Sequence, residues 1–162
     1  MPIARVTSFA IDGVGSRPVT VEADIRRGLP AFTMVGLADK AVRESRERVR
    51  SAIENSGYGF PGSRLTVNLA PAYLRKVGPS FDLPVAIAIL VASGQVEGAA
   101  VEGCAFAGEL SLYGGVRTIR AFDPTKTPNT VLADWMIRHP RPGDSAATLQ
   151  NDRWDKRKPL PF

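Results

Sequence analysis

The sequence predicts an α+β fold in which a mixed sheet is backed by two helices. Short segments with alternating apolar and polar residues predict strands, and one amphipathic and one almost wholly apolar segment predict helices. Turns rich in glycine and proline separate these segments. The 162 residues suffice for one compact domain, whereas thirteen prolines and fifteen glycines are too many for a helical bundle.

The first three predicted elements are strands. Residues 4–11 and 19–25 are β-prone and are joined by the turn-rich segment 12–18, which predicts an antiparallel pair. Apolar residues alternate with polar ones over 19–25, so this strand is expected to have one buried and one solvated face. After another turn, residues 31–35 are expected to form a third, shorter strand.

The segment 39–56 changes to a helical period. Asp39 is its predicted N-cap, and Gly57 stands where a left-handed C-cap is expected. The polar face is rich in charge, and Glu44 and Arg48 are spaced for an i,i+4 ion pair.

Residues 64–69 alternate again and predict a fourth strand, and residues 80–92 predict a second helix. This helix is apolar almost all round, so we expect it to lie buried against the sheet. Ser80 is its predicted N-cap, Asp82 favours the helix start through the helix dipole, and Pro84 is tolerated because it falls in the first turn.

Two short strands, 103–107 and 109–113, end the predicted domain and are joined at Gly108. The resulting element order is β-β-β-α-β-α-β-β, which places two helices against a mixed sheet.

Residues 121–162 have a different character. They hold six of the thirteen prolines and the charged run 152–158, with one brief apolar patch. We therefore predict a folded domain over 3–120 and a weakly structured tail over 121–162.

Composition excludes several classes of site. Cys104 is the only cysteine, so a disulfide scaffold and a cysteine-rich zinc site are excluded, and a cytoplasmic location is expected. His139 is the only histidine, so no histidine cluster can bind a metal. We find neither a signal peptide pattern nor an apolar run of about 18 residues, and we expect no membrane association. The net charge of +5 permits an anionic partner.

Four segments carry a resemblance to a known family. They are GLPAFTMVGL at 28–37, VRESRERVRSAI at 42–53, TVNLAPA at 66–72 and GPSFDLPVA at 78–86. In this order and spacing they resemble the N-terminal domain of magnesium chelatase-like AAA+ ATPases of the YifB/ComM type. The resemblance covers about residues 3–120 and implies a fold like domain 2 of ribosomal protein S5, which the proteolytic domain of Lon shares.

In that family an AAA+ motor follows this domain, binds ATP and magnesium, forms hexamers and is associated with DNA branch migration in natural transformation. The chain has no G-x-x-x-x-G-K-[ST] motif, so we expect no cofactor and no ATP hydrolysis from this chain alone. The family pattern also stops near Arg120, which suggests a truncated or frame-shifted product. The resemblance thus implies a non-catalytic domain for assembly or for contact with DNA or another partner.

A Lon-like serine peptidase is the alternative. Ser80 corresponds to the nucleophilic serine of Lon-type proteases, which a lysine activates. The position that the resemblance implies for this lysine holds Asp123, and Lys126 follows three residues later. An aspartate cannot replace a neutral amine in this role.

Arg43, Arg46 and Arg50 form a second candidate site, since their i, i+3, i+7 spacing places them in one stripe of the first helix. Guanidinium groups in a stripe could contact phosphates of DNA or ATP, or acidic residues of a neighbouring subunit. Glu44 and Glu47 dilute the positive charge, so a solvated, ion-paired face is the competing interpretation.

Overall fold

The computed structural model of the protein describes residues 3–12, 15–36, 40–76 and 78–117. The elements in chain order are β1 (Ala4–Asp12), β2 (Gly15–Arg26), β3 (Ala31–Val35), α1 (Lys40–Asn55), β4 (Arg64–Ala70), α2 (Asp82–Ala92), β5 (Glu109–Leu110) and β6 (Val116–Arg117). Their order agrees with the prediction. The predicted N-cap Asp39 and the predicted tail 121–162 lie outside the described residues.

The main sheet has the strand order β1-β2-β4-β3. The pairs β1/β2 and β2/β4 are antiparallel and the pair β3/β4 is parallel, so the sheet is mixed, as predicted. The prediction of a turn over 12–18 was wrong at most positions, because the hairpin pairing continues to Asp12 and Gly15. Pro18 pairs with β1, but the pairing of β2 with β4 begins only at Thr20. Proline is tolerated at this position because it needs no hydrogen bond to a second strand.

The core lies between one face of the sheet and the two helices. Alternate residues of β2 and β4 are fully buried: Val19, Val21, Ala23, Leu65, Val67 and Leu69. Residues 82–90 of α2 are all buried, which confirms the expectation from their apolar sequence. Full burial of a Val, Leu or Ile side chain contributes about 1.5–3 kcal/mol, so these positions dominate stability.

The first helix buries one stripe, at Val42, Ser45, Val49, Ala52 and Ile53. It ends one residue before the predicted end at Ser56, and Gly57 follows with φ +83, which confirms the left-handed C-cap.

The last predicted strands differ from the structure. The segment 103–107 contributes a single parallel bridge between Ala105 and Thr7, and the predicted strand 109–113 is reduced to β5, which pairs with β6 in a separate two-stranded sheet. Gly108 explains the change, because its N–H and carbonyl groups bond to the segment that begins α2 rather than to a neighbouring strand.

Candidate functional site

Ser80 lies in a 3-10 turn, Pro79–Phe81, that leads into α2. It is half-buried, and its carbonyl oxygen accepts a hydrogen bond from the Gly108 N–H at 2.9 Å. The helix itself begins at Asp82, its N-cap is Phe81, and no side chain caps it. The predicted N-cap role of Ser80 was therefore wrong, because the 3-10 turn moves the helix start two residues along the chain.

A Lon-like mechanism needs a lysine at Ser80, and the described residues include two lysines, Lys40 and Lys76. Lys40 is exposed and forms an ion pair with Glu44 at 3.4 Å. Lys76 is fully buried, and its Nζ donates to the Gly36 carbonyl at 3.1 Å and to the Pro71 carbonyl. Burial lowers the pKa of the Lys76 amine. Within the described ranges, neither amine bonds to the Ser80 hydroxyl.

Asp123 and Lys126, the positions that bear on a Lon-like mechanism, lie outside the described residues. The Lon-like alternative at Ser80 therefore stays untested.

A buried ion pair lies next to Ser80 along the chain. Arg48 Nε donates to Asp82 Oδ2 at 2.8 Å, and its Nη2 donates to Oδ1 at 3.2 Å. The Leu110 N–H also donates to Oδ2, at 3.2 Å. The Asp82 side chain is fully buried, whereas that of Arg48 remains 28% exposed. One carboxylate thus joins α1, α2 and β5.

Asp82 lies in the first turn of α2, as expected for a residue that favours the helix start, and its buried carboxylate is in addition bound by Arg48. The expectation of an i,i+4 pair between Glu44 and Arg48 was wrong, because Arg48 pairs with Asp82 and Glu44 pairs with Lys40. Burial raises the pKa of Asp82, although its bonds to Arg48 and to the Leu110 N–H lower it. The bond to Asp82 raises the pKa of Arg48. A sequence signal for Arg48 existed, because it lies three positions after Ser45 and four before Ala52, which places it beside the buried stripe.

The structure separates the three arginines of the predicted stripe. All three are exposed, but Arg46 Nη1 donates to the Phe32 carbonyl at 3.1 Å, and Arg50 lies 5.0 Å from the centre of the Phe60 ring. Arg46 and Arg50 line a common cleft, whereas Arg43 is not among its lining residues.

We call this feature the β3 cleft; it lies between β3, α1 and the loop before β4 and has a volume of about 370 Å³. The lining residues are Pro30, Ala31, Phe32, Arg46, Glu47, Arg50, Phe60, Pro61, Gly62 and Ser63. The rings of Phe32 and Phe60 are tilted by 52° with centres 5.6 Å apart. The cleft therefore combines an apolar wall with two guanidinium groups, which suits a ligand that is both anionic and partly apolar.

Sequence reasoning missed the β3 cleft, since Phe32 and Phe60 are distant in sequence, and the segment 28–37 that contains Phe32 gives no sign that its ring meets Phe60. In the ranges that the structure describes, no group of three or more His, Cys, Asp or Glu side chains could hold a metal ion. The helices in the same ranges are too short or too polar for any to cross a membrane.

Comparison with known proteins identifies the family. The family described as subunit ChlI of Mg-chelatase matches residues 21–128. YifB of Salmonella typhimurium is 49% identical over 119 residues, which are 74% of this chain and 24% of that protein. Competence protein ComM of Haemophilus influenzae is 45% identical over 124 residues, which are 76% of this chain and 24% of ComM. A Mycobacterium tuberculosis protein is 43% identical over 124 residues, which are 76% of this chain and 25% of that protein.

The chain thus spans about a quarter of the length of the curated relatives that it matches. The mixed sheet backed by two helices is the α+β arrangement that the resemblance implied, like domain 2 of ribosomal protein S5. The matched family, the identities and the fold agree, and the chain belongs to the YifB/ComM group of magnesium chelatase-like proteins.

Proposed function

We propose that this chain corresponds to the N-terminal domain of a competence-type magnesium chelatase-like AAA+ ATPase. In this role it is a non-catalytic domain for assembly or partner contact in ATP-dependent DNA branch migration. ATP and magnesium belong to a motor whose phosphate-binding motif this sequence lacks. DNA and further copies of the chain, as in a hexamer, are the partners that this role implies.

The observation that carries the proposal is that the charged groups near the start of α2 bond to other parts of the fold. Both oxygens of Asp82 accept hydrogen bonds from Arg48 or the Leu110 N–H. The amine of Lys76 is held by two carbonyl groups. These groups hold elements of the fold together, and none of them bonds to the Ser80 hydroxyl in the described part of the chain. By contrast, Arg46 and Arg50 lie at an open cleft, where a partner can reach them.

A serine-directed fluorophosphonate probe tests the absence of catalysis. We expect equal, background labelling of the wild-type chain and of Ser80→Ala, because a serine hydroxyl is a weak nucleophile without a neighbouring base. A peptidase assay on the same two proteins is expected to give no difference. Labelling or peptide cleavage that disappears in Ser80→Ala would overturn the proposal in favour of a Lon-like hydrolase.

Binding of DNA is tested by fluorescence anisotropy with a labelled oligonucleotide at 50 to 200 mM salt, for the wild type and for a variant with Arg43, Arg46 and Arg50 changed to Gln. Arginines that bind phosphates release counterions, so each such arginine that is replaced should reduce the slope of log affinity against log salt by roughly 0.7 to 0.9. Failure to bind at the lowest salt would exclude DNA as the partner of this surface and leave assembly and protein contact.

A further inference from the structure

We propose that the outer edge of β3 and the adjoining β3 cleft bind an extended, acidic peptide segment of another protein, which joins the sheet as a fifth strand. This inference rests on the proposed function in one respect, that the chain is an interaction domain. It goes further by naming the class of partner and the surface that binds it.

The two edge strands of the main sheet, β1 and β3, differ in what pairs with their outer sides. At the β1 edge, Ala105 forms a bridge to Thr7, and the Phe106 N–H donates to the Thr7 carbonyl at 2.9 Å. At the other edge, β3 pairs with β4 on its inner side. Over the described ranges, no strand or bridge covers its outer side. An uncovered edge presents a row of backbone donors and acceptors to which an extended peptide can pair.

The outward backbone groups of β3 belong to Phe32 and Met34. The Ala31 N–H points inward, to the Ser63 carbonyl at 3.5 Å, and successive residues of a strand direct these groups to opposite sides. The Phe32 carbonyl agrees with this assignment, because it accepts its bond from Arg46 rather than from β4. An incoming strand would therefore pair with the N–H groups of Phe32 and Met34 and with their carbonyls.

Arg46 gives this edge a preference for negative charge. Its guanidinium lies at the outer edge, 3.1 Å from the Phe32 carbonyl. Among the described residues that line the cleft, Glu47 is the single acidic side chain beside Arg46 and Arg50. A carboxylate on the incoming strand would replace the carbonyl as the partner of Arg46, since a charge-assisted hydrogen bond is stronger than a neutral one. The exchange would also free the Phe32 carbonyl to pair with the new strand.

Apolar side chains lie at both ends of this edge. Leu29, in the turn before β3, is 88% exposed, and Val35, its last residue, is 42% exposed. The Phe60 ring lines the cleft between α1 and β3. The segment that fits is therefore acidic with interspersed apolar residues, rather than uniformly charged.

The same features disfavour two other occupants. Stacking of a nucleic acid base needs a free aromatic face, but Arg50 already lies over the Phe60 ring and Phe32 packs beside it. A second copy that paired through its own β3 would bring two more guanidinium groups close to Arg46 and Arg50, and like charges that face each other across strands are destabilising.

Selection of a phage-displayed library of random ten-residue peptides against the whole chain provides the probe. We expect enrichment of peptides that alternate Asp or Glu with β-branched or aromatic residues. A fluorescein-labelled selected peptide should bind about tenfold more weakly to Arg46→Gln and to Arg50→Gln. Arg43→Gln is the matched control, because Arg43 lies on the same helix but does not line the cleft. The affinity of this variant for the peptide should equal that of the wild type.

Methylation of the peptide's backbone nitrogens tests strand addition without altering the protein. Methyl groups on the set of alternate residues that donates to β3 should abolish binding, whereas methyl groups on the other set should leave it within about twofold, because only one set of N–H groups faces the sheet. Binding that survives both methylated sets, or that is unchanged in Arg46→Gln, would overturn the proposal.

Three further outcomes would also contradict the proposal. Enrichment without acidic residues would remove the role of Arg46, and displacement of the peptide by a labelled oligonucleotide would assign the cleft to nucleic acid. If no peptide is selected and Arg46→Gln aggregates, the role of Arg46 is to prevent self-association through the β3 edge. If the peptide does not bind as expected and Ser80 is not labelled by the fluorophosphonate probe, this inference alone is refuted. Labelling of Ser80 refutes the proposed function.

Discussion

Two buried polar junctions hold this fold together, and they balance charge in different ways. At the first, the Asp82 carboxylate joins α1, α2 and β5 through a bidentate pair with Arg48 and a bond from the Leu110 N–H. At the second, the Lys76 amine joins the segments that follow β3 and β4 by donating to the carbonyls of Gly36 and Pro71. The first junction pairs opposite charges, whereas the second, among the residues that the structure describes, pairs a charge with carbonyl dipoles.

The difference predicts unequal costs of disruption. Removal of Arg48 leaves a fully buried carboxylate without its cation, whereas removal of the Lys76 amine takes away the buried charge itself and leaves neutral carbonyls. A buried charge without a partner is far more costly than a neutral group without one. Substitutions at Arg48, Gly36, Lys76 and Ser80 should therefore lower the free energy of unfolding by successively smaller amounts.

Arg48→Met should have the largest effect, a loss of about 3–5 kcal/mol in the free energy of unfolding, because it breaks one side of a buried pair. Urea denaturation followed by circular dichroism measures it. The double variant Arg48→Met/Asp82→Leu should recover part of the loss. The exposed Arg5, which pairs with Glu22 at 3.3 Å, is the control, and Arg5→Met should cost less than about 1 kcal/mol.

The effect of Arg48→Met should also depend on pH. Burial raises the pKa of Asp82 above its ordinary value of 3.8, and the bond to Arg48 opposes that rise, so the variant should have a higher Asp82 pKa than the wild type. A raised carboxyl pKa stabilises the fold below 3.8, and this stabilisation is lost as the pH rises through the folded pKa. The difference in the free energy of unfolding between the wild type and Arg48→Met should therefore increase from about pH 4 to pH 7. A difference that stays constant over this range would contradict the prediction.

Gly36→Ala tests the Lys76 junction through the backbone. Gly36 has φ +99, and an added Cβ would lie 2.2 Å from the Leu69 carbonyl oxygen. The expected loss is about 2–4 kcal/mol, from strain and from displacement of the carbonyl that Lys76 binds. Gly78 has φ +84, and no atom of the described residues lies within 4 Å of an added Cβ, so Gly78→Ala should show the strain alone, about 1–2 kcal/mol. Equal losses in thermal unfolding would mean that the close approach to β4 is unimportant.

Lys76→Met should cost about 1–2 kcal/mol, since two hydrogen bonds are removed together with a desolvated ammonium. Burial lowers the folded pKa of Lys76 below its ordinary value of 10.5, so between these values the unfolded chain binds more protons. Wild-type stability relative to the variant should therefore rise as the pH increases through that window. Urea midpoints of the wild type and Lys76→Met from about pH 7 to pH 10 measure this change in relative stability. A loss of stability as large as that of Arg48→Met would contradict the predicted difference between the two junctions.

Ser80→Ala should have the smallest effect, within about 0.5 kcal/mol, because its hydroxyl caps no helix. Differential scanning calorimetry of the variant beside the wild type measures it. A loss above about 1 kcal/mol would reveal a hydroxyl partner and would bring Ser80 into the first junction.

Much of the fold could be predicted because its elements depend on local patterns. The alternation over Val19–Ile25 and the unbroken apolar run of α2 each indicate an element and its buried side within a few residues. The boundaries were less accurate where a neighbouring strand decided them. Hydrogen bonds between β1 and β2 extend both strands into a glycine-rich segment, and the bonds of Gly108 to the start of α2 shorten the predicted last strands.

The candidate site was less predictable, since its chemistry comes from residues far apart in the chain. Arg43, Arg46 and Arg50 were identified from helical spacing, but spacing alone could not show that Arg46 reaches the Phe32 carbonyl while Arg50 lies over Phe60. Nor could it assign Arg48 to Asp82, 34 residues away, rather than to Glu44 on its own helix.

The order of strands and helices, the apolar surfaces that they bury and the family to which the chain belongs can be inferred from the sequence without the structure. These follow from periodicity and from local motifs, which act over a few residues. Which charges are buried, what balances them and which sheet edge is uncovered within the described ranges depend on the tertiary structure. Burial and pairing depend on where distant segments meet, and the energy of a charge is set by that surrounding rather than by its neighbours in sequence.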